Sequence, residues 1–131
     1  MTRFAIRRVY DPPGEQDGTR ILVDRLWPRG ISRAKGRIDL WLKDIAPSDA
    51  LRKRFHGDPG GWDAFRAAYF AELESDAARE AEAVLVGHLN KGPVTLLYAA
   101  RDEQNNNAVA LRMWLEQRDS ADPAPRPDLE G

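Results

Sequence analysis

The chain has 131 residues, of which 42% are hydrophobic and 31% charged, a composition typical of one soluble globular domain. It contains no cysteine, which excludes disulfides, zinc–thiolate sites and cysteine nucleophiles. No apolar stretch approaches the roughly 20 residues that cross a bilayer, and the first residues lead directly into a predicted strand. We therefore expect a cytoplasmic protein with no signal peptide and no membrane partner.

The net charge of −1 conceals an uneven distribution along the chain. Residues 1–57 carry 13 Lys and Arg against 7 Asp and Glu, a net charge of +6. Residues 58–131 carry 7 against 14, a net charge of −7. Two interpretations are open: the two halves neutralise each other in the folded molecule, or the basic half forms a surface that meets a phosphate-bearing partner.

Two strands are predicted near the start of the chain. Residues 3–9 alternate weakly between the two faces of a strand, and turn residues over 11–19 end it. The segment 20–25 contains an apolar run that is rich in β-branched residues and too short for a helix. We predict from it a strand covered on both faces, ended by the Pro-Arg-Gly turn at 28–30.

The middle of the chain is predicted to be mainly helical. Residues 31–37 form a loop or a single helical turn, and residues 39–43 form a short helix. Ser48 is the natural N-cap of a helix over 50–55. Apolar residues that recur every three or four positions from Trp62 predict an amphipathic helix with an aromatic face, and a second helix follows it.

A third strand and a final helix complete the predicted fold. Residues 94–100 are apolar apart from Thr95, which is typical of a central strand, and asparagines at 105–107 provide N-caps for the following helix. Residues 119–131 are polar and rich in proline, so we predict a disordered tail after a single domain over 1–118. The expected class is α/β, with a small, mostly parallel three-stranded sheet flanked by about five helices.

The second and third predicted strands are joined by a long connection, which predicts parallel neighbours with a right-handed crossover. The shorter loop after the first strand allows either orientation of that strand. Ligands of open α/β sheets collect beyond the carboxyl ends of the strands. Here an acid and an arginine follow each of the two strands: Asp24 and Arg25, then Arg101 and Asp102. These pairs either neutralise each other or line a binding site.

Our first prediction is a site for an anionic, phosphorylated small molecule at this edge of the sheet. Helix N-termini attract anions through free N–H groups and the helix dipole, and arginine suits bidentate binding of phosphate. Asp24 and Asp102 are candidate acids, bases or orienting groups if catalysis takes place. The candidate ligand-binding residues are Arg25, Trp27, Arg29, Tyr98, Arg101, Asn105, Asn106 and Asn107.

The alternatives are a nucleic-acid or protein interaction module that uses the basic segment 29–37, and a regulatory partner protein with no ligand. No nucleic-acid-binding motif is present. Exposure separates the first two predictions: an enzyme needs Asp24 and Arg25 in a concave pocket, whereas a binding module needs the 29–37 arginines on a convex face. Gly-rich nucleotide loops are absent, so no cofactor is indicated, and His56 and His88 on distant elements predict no metal site.

The sequence also resembles a known family. Five stretches carry the resemblance: residues 8–12, 22–30, 45–48, 62–73 and 96–100. The nine-residue run Leu-Val-Asp-Arg-Leu-Trp-Pro-Arg-Gly at 22–30 is the most specific of them. These stretches are similar to the YeaO-like branch of the domain-of-unknown-function family 488, a family without an established activity.

Other branches of that family resemble this chain with one chemical difference. Where they carry a Cys-His-Arg triplet at the start of the last helix, this sequence has Asn106, Asn107 and Ala108. A helix N-terminus lowers the pKa of a cysteine and so favours a reactive thiolate. Because this chain has no thiol, the resemblance does not imply that chemistry here.

Overall fold

The computed structural model describes residues 4–55 and 59–121. Within these ranges the strands are β1, Phe4–Arg8; β2, Thr19–Leu22; β3, Leu40–Trp41; and β4, Val94–Tyr98. The α-helices of the same ranges are α1, Arg33–Gly36; α2, Asp49–Phe55; α3, Trp62–Glu72; α4, Asp76–Leu89; and α5, Asn107–Ala121. Turns of 3₁₀ helix at Lys43–Ile45 and Pro59–Gly61 precede α2 and α3. The predicted α/β class, with helices around a parallel sheet, is confirmed.

Part of the sequence predictions falls outside this description. His56 and residues 122–131, most of the predicted tail, lie outside the described residues. The first part of the predicted tail, residues 119–121, continues α5. None of the helices in the described ranges combines the length and apolar character that a bilayer span requires.

The sheet is parallel throughout, with the spatial order β1-β4-β2-β3. β4 is central, as its largely apolar sequence predicts, because Leu96 pairs with Ile6 of β1 on one side and with Ile21 of β2 on the other. The predicted parallel pairing of β2 with β4 is therefore confirmed. β1, whose orientation the sequence leaves open, is also parallel and lies beside β4 rather than β2.

The sheet has a fourth strand in place of the short helix predicted over 39–43, and that prediction is wrong. Leu40–Trp41 pairs with the outer edge of β2, and the N–H groups of Asp39 and Leu42 donate to β2 carbonyls at 2.9 and 3.0 Å. Without β3, this edge of β2 would keep unpaired N–H and C=O groups. A segment of five residues gains too little from helix formation to compete with that pairing.

The alternation of side chains along β2 and β4 divides the core into two clusters. Ile21 and Leu96 face the larger cluster, which lies between the sheet and helices α3 to α5. Leu22 and Leu97 face the smaller one, against which Trp27, Ile31 and Ile38 of the segment 24–38 pack. The buried members of the smaller cluster are Val9, Leu22, Ile38 and Leu97, with Trp27, Ile31, Trp41 and Ala99 partly buried against them.

The aromatic face predicted for α3 is confirmed. Tyr69 and Leu73 are buried, and Trp62 and Phe65 are partly buried against the same cluster. The ring centroid of Phe65 lies 5.9 Å from that of Trp62 and 5.8 Å from that of Tyr69. This row of rings lies on one side of the helix because its members are three or four residues apart.

Side-chain caps begin α2 and α5 as the sequence predicts. The Ser48 Oγ accepts the N–H of Leu51 at 3.1 Å, and the Asn106 Oδ1 accepts the N–H of Val109 at 2.9 Å. Glu72 at the end of α3 accepts both the hydroxyl and the N–H of Ser48, at 2.6 and 2.8 Å. The capping serine therefore also fastens α2 to α3.

Candidate functional site

The predicted strand-end site lies where the carboxyl ends of β2 and β4 meet the N-terminus of α5. Asn107, the first residue of α5, donates from Nδ2 to Val23 O and to Asp24 Oδ1, both at 2.9 Å. Asp24 Oδ2 accepts the N–H of Ala99, which follows β4, at 2.9 Å. The parallel pairing of the strands thus brings Asp24 and Asn107 together.

The Asp24 carboxylate lies beside the start of α5, where it is held by the side-chain amide of Asn107. Burial raises the pKa of this carboxyl above its ordinary value, although hydrogen bonds from Asn107 and Ala99 and the charge of Arg52 act in the opposite direction. A helix N-terminus stabilises a nearby negative charge. Here an internal carboxylate lies beside the first residue of α5.

We expect the raised pKa of Asp24 to give an unusual pH dependence. Because the folded chain holds the Asp24 proton more tightly than the unfolded chain, the stabilisation is fully present below the unfolded pKa and is lost as the pH rises through the folded pKa. The free energy of unfolding of the wild type, relative to Asp24→Asn, should therefore increase as the pH falls from about 7 to about 4 in urea titrations.

Asp102→Asn is the matched control for that titration. Hydrogen bonds from the N–H groups of Asn105 and Gln104 lower the pKa of Asp102, so its contribution is present above the unfolded pKa and is lost as the pH falls. As the pH falls, the stability of the wild type should therefore increase relative to Asp24→Asn and decrease relative to Asp102→Asn. A difference between the wild type and Asp24→Asn that stays constant with pH would contradict the raised pKa.

Arg25 hydrogen-bonds to backbone carbonyls rather than to a carboxylate. Its Nη2 and Nε donate to the carbonyls of Ala46 and Pro47 at 3.2 and 3.4 Å. The hydroxyl of the buried Tyr69 donates to the preceding carbonyl, that of Ile45, at 2.6 Å, and burial raises the pKa of this phenol far above its ordinary value. Arg25 and Tyr69 together hold the chain just before α2 against the strand-end edge.

The loop after β4 is organised by its own side chains. Asp102 Oδ1 accepts the N–H groups of Gln104 and Asn105 at 2.9 and 3.0 Å, and Asn106 Nδ2 donates to Asp102 O at 2.8 Å. The side chains of Arg101 and Asn105 are exposed. Asp102 and Asn106 therefore shape the loop, while Arg101 extends from it into solvent.

The arginine–aspartate pairs suggested by the sequence do not form direct ion pairs. In the part of the chain that the structure describes, neither Arg25 nor Arg101 makes a salt bridge with Asp24 or Asp102. Asp24 is matched by N–H donors and Arg25 by carbonyls. Direct mutual neutralisation therefore does not explain these four residues.

The two aromatic candidates lie on opposite faces of the sheet. Tyr98 is buried on the side of α5, where burial and the nearby charge of Glu103 raise the pKa of its hydroxyl. Trp27 packs into the smaller cluster, with Nε1 donating to Ile31 O at 2.7 Å and its ring edge-on to that of Trp41 at 5.2 Å. Tyr98 is therefore close to the strand-end groups, whereas Trp27 supports the other face.

Residues 29–37, called the basic layer below, cover the smaller cluster and present only positive charge. Arg33 Nη2 donates to Asp39 O at 2.8 Å, and Arg37 Nη2 donates to Gly14 O at 3.3 Å. These bonds hold two guanidinium groups along the surface without neutralising them. The exposed cations of the layer are Arg29, Arg33, Lys35 and Arg37.

The acidic helices α3 and α4 cover the opposite face of the sheet. Residues 62–89 contain six Asp and Glu against two Arg, a net charge of −4 with His88 neutral. Ile21 faces these helices and the adjacent Leu22 faces the basic layer, because successive strand residues point to opposite sides. The sheet therefore separates the acidic helices from the basic layer, and these two regions do not neutralise each other by contact.

Arg20 supports the basic layer from beneath, a role that the sequence analysis missed. Its side chain is 0% exposed and donates from Nη2 to Gly36 O at 2.8 Å and from Nε to Arg37 O at 3.1 Å. Its Nη1 forms an ion pair with the buried Asp17. A signal was available: Arg20 and Leu22 must share a face of a strand that was predicted to be covered on both faces.

No group of three or more His, Cys, Asp or Glu residues within the described ranges is arranged to hold a metal ion.

Comparison with known proteins identifies the family to which the chain belongs. A family model described as "Inactive DUF488-N3 subclade" matches residues 3–128. This chain belongs to the DUF488 family. The resemblance found in the sequence is thereby confirmed.

Three relatives of this DUF488 protein are described as uncharacterized. It is 47% identical over 110 residues to "Uncharacterized protein YeaO" of Escherichia coli K12, which covers 83% of this chain and 93% of that protein. It is 38% identical over 117 residues to "Uncharacterized protein Rv3073c" of Mycobacterium tuberculosis H37Rv, covering 89% and 97%. The same values hold for "Uncharacterized protein Mb3100c" of Mycobacterium bovis. No solved structure matches the chain significantly.

In this DUF488 protein the candidate residues thus fall into separate groups. Asp24, Tyr98, Asn106 and Asn107 meet at the junction of the strands with α5. Arg101 and Asn105 are on the exposed loop beside them, and Arg25 turns toward the chain before α2. Arg29 is exposed in the basic layer, and Trp27 is packed beneath it.

Proposed function

We propose that this protein acts by binding rather than by catalysis, and that its basic layer contacts a polyanionic macromolecule. The observation that carries the proposal is the group of exposed cations in the basic layer, on the face of the sheet opposite to the acidic helices α3 and α4. Residues 29–37 contribute four cations and no acid on one face, while residues 62–89 carry a net charge of −4 on the other. A surface of one sign attracts partners of the opposite sign and accelerates their association.

The exposure of the candidate groups supports this choice. The four charged side chains of the basic layer are exposed, as an interaction module requires. Asp24 and Arg25 are only partly exposed, and their hydrogen bonds go to groups of the protein itself. A large partner reaches exposed charges more readily than partly buried ones, and Arg33 and Arg37 stay exposed although each also donates to a backbone carbonyl.

The family description supports the absence of catalysis. The matching model is that of an inactive subclade, and a binding role is compatible with that description. The position that aligns with a cysteine in other branches is Asn106, whose side chain caps α5 and holds Asp102 O. These hydrogen bonds of the side-chain amide give Asn106 a structural role that needs no chemical reactivity.

The basic layer has a firm support for such a role. Beneath it, Arg20 donates to the carbonyls of Gly36 and Arg37, and the Trp27 indole donates to Ile31 O. Ser32 caps α1 by accepting the N–H of Lys35 at 3.0 Å. A binding surface held by buried polar contacts loses less conformational entropy when the partner binds.

A small anion at the strand-end edge is the second candidate. It is favoured by Arg25 and Arg52, which act electrostatically on Tyr69 and Asp24 at this edge, and by the adjacent start of α5. Such an anion would have to share this region with the Asp24 carboxylate, which already binds Ala99 and Asn107. That internal competitor is why we rank this site second.

Two forms of phosphate distinguish the two candidates. Long-chain inorganic polyphosphate can span the basic layer, whereas orthophosphate can only fill a small site. We expect the double variant Arg33→Glu/Lys35→Glu to weaken polyphosphate binding by about 10- to 100-fold at 0.1 M salt, because two phosphate contacts are lost and repulsion is added. Binding would be measured by isothermal titration calorimetry.

Arg101→Glu, at the exposed strand-end loop, is the matched control and should leave polyphosphate binding nearly unchanged. If the second candidate is correct instead, orthophosphate will raise the melting temperature of the wild type, and Arg25→Ala and Arg101→Glu will abolish that gain. Equal polyphosphate affinity of the wild type and the double variant would overturn the proposed function.

A further inference from the structure

We infer that the polyanion is double-stranded nucleic acid, contacted along its sugar–phosphate backbone without reading of the bases. This inference rests on the proposed function of the basic layer and specifies its partner. Three of the four cations of the layer are arginines, whose planar guanidinium groups suit the oxygens of a phosphate better than an ammonium does.

The geometry of α1 argues against insertion into a groove. The helix has four residues, Arg33–Gly36, and is therefore only about 6 Å long at 1.5 Å per residue. The helices that read bases in a major groove carry several contacting side chains over more than one turn. The exposed cations of the basic layer are instead suited to phosphate contacts, which position a protein on a duplex without reading its sequence.

The aromatic side chains around the layer are not available to stack with bases. The indole N–H groups of Trp27 and Trp41 donate to Ile31 O and Asp24 O, both at 2.7 Å, and their rings pack edge-on against each other. Lys43 Nζ lies 4.5 Å from the Trp41 ring centroid and covers that ring. Single-stranded nucleic acid depends on open aromatic platforms, so the duplex is the favoured form.

Tyr10 is an exposed aromatic residue beside the layer, and its hydroxyl and ring both contact other groups of the protein. Its hydroxyl donates to Arg29 O at 2.8 Å, and the Arg8 guanidinium lies 5.1 Å from its ring centroid. The side chain is 41% exposed, but the stacked guanidinium already covers one ring face. Tyr10 therefore braces the start of the basic layer rather than forming a base-stacking platform.

Arg37 supplies a second, independent observation. Its φ of 48° and ψ of 51° lie in the left-handed region, and it is the non-glycine residue with positive φ in the described part of the chain. Glycine occupies such helix ends at no steric cost, whereas an L-residue is strained there. The backbone thus tolerates strain at a position where the side chain is a surface cation. We assign Arg37 as a direct phosphate contact of the duplex.

The experiment measures fluorescence anisotropy of labelled oligonucleotides with the full chain. We expect two duplexes of unrelated sequence to bind with equal affinity, and the corresponding single strands to bind more weakly. The logarithm of the association constant should fall with the logarithm of salt concentration with a slope of about −2.7 to −3.6, the value for three to four phosphate contacts. Duplex DNA and duplex RNA, tested in parallel, distinguish the two sources of the same backbone chemistry.

Arg37→Gly separates a binding role from a structural one. It removes one contact, so affinity for both duplexes should fall by about 8-fold at 0.1 M salt and the slope should lose about one unit. Because glycine accepts the left-handed backbone, the melting temperature should stay constant or rise by up to about 4 °C. Arg37→Lys should keep most of the affinity, and Arg79→Ala, on the acidic face, should change nothing.

The possible outcomes distinguish this inference from the proposed function. If the wild type binds polyphosphate through the basic layer but neither duplex, the proposed function stands and the nucleic-acid inference fails. Preference for one sequence or for the single strands also overturns the inference. An Arg37→Gly variant that loses stability and affinity together would show that Arg37 is structural rather than a phosphate contact.

Discussion

Arg20→Ala should destabilise the protein by about 3–5 kcal/mol, the range for removing one partner of a buried ion pair. The substitution would leave the Asp17 carboxylate, which is 7% exposed, without its buried cation. It would also leave the carbonyls of Gly36 and Arg37 without the donor that holds them. The loss is expected as a lower free energy of unfolding in urea titrations followed by tryptophan fluorescence.

Two comparisons identify the cause of that loss. Arg33→Ala removes an exposed arginine of the basic layer that also donates to a carbonyl, and it should cost less than about 1 kcal/mol because the site is solvated. The double variant Arg20→Met/Asp17→Asn removes both charges and should recover part of the loss. An Arg20→Ala variant as stable as Arg33→Ala would contradict the buried role of Arg20.

Asp17 adds a pH signature to this ion pair. Burial by itself raises the pKa of Asp17, but hydrogen bonds from Gly14 N–H and Arg20 and the charges of Arg7 and Arg20 outweigh it, so the net pKa is lowered. Stability from this carboxyl is present above its unfolded pKa and is lost as the pH falls through the folded pKa. The stability contributed by Asp17 therefore falls as the pH is lowered, whereas that contributed by Asp24 rises.

Tyr69→Ala should also be strongly destabilising, by about 3–5 kcal/mol, as for other buried aromatic truncations. Tyr69 is 0% exposed, packs against Phe65 and donates its hydroxyl to Ile45 O. Its loss would leave a cavity between α3 and the sheet. Chemical denaturation, compared with the wild type, measures the effect.

Tyr69→Phe separates the ring from the hydroxyl. This variant keeps the packing and leaves only the carbonyl of Ile45 unsatisfied, so it should cost about 1–2 kcal/mol. We also expect weaker anchoring of the segment before α2, where Arg25 binds the next two carbonyls. A Tyr69→Ala variant that loses no more than Tyr69→Phe would show that the ring contributes little to the core.

Much of the fold follows from local patterns in the sequence. The apolar run of β4 indicates a central strand, and the three- and four-residue spacing of α3 indicates its buried aromatic face. Ser48 and Asn106 cap the helices that they precede. These features are readable because strand alternation, helical period and capping depend on residues close together in the chain.

The tertiary structure decided the features that depend on distant partners. β3 forms because the edge of β2 offers hydrogen-bond partners. These partners lie far away in the sequence, so the local propensity of residues 39–43 does not reveal them. The partners of Arg25 and Asp24 are carbonyls before α2 and an amide on α5, not each other, although the two residues are adjacent in sequence. Adjacent residues at a strand end point in different directions, so sequence proximity does not predict their pairing.

The basic layer shows both kinds of information together. Its four cations and the acidic composition of α3 and α4 are visible in the sequence. Whether these charges cancel or lie apart depends on which face of the sheet each segment covers, and that was decided by the parallel crossovers around β2 and β4. Charge content is a property of the chain, whereas charge separation is a property of its packing, because the intervening sheet keeps the two surfaces apart.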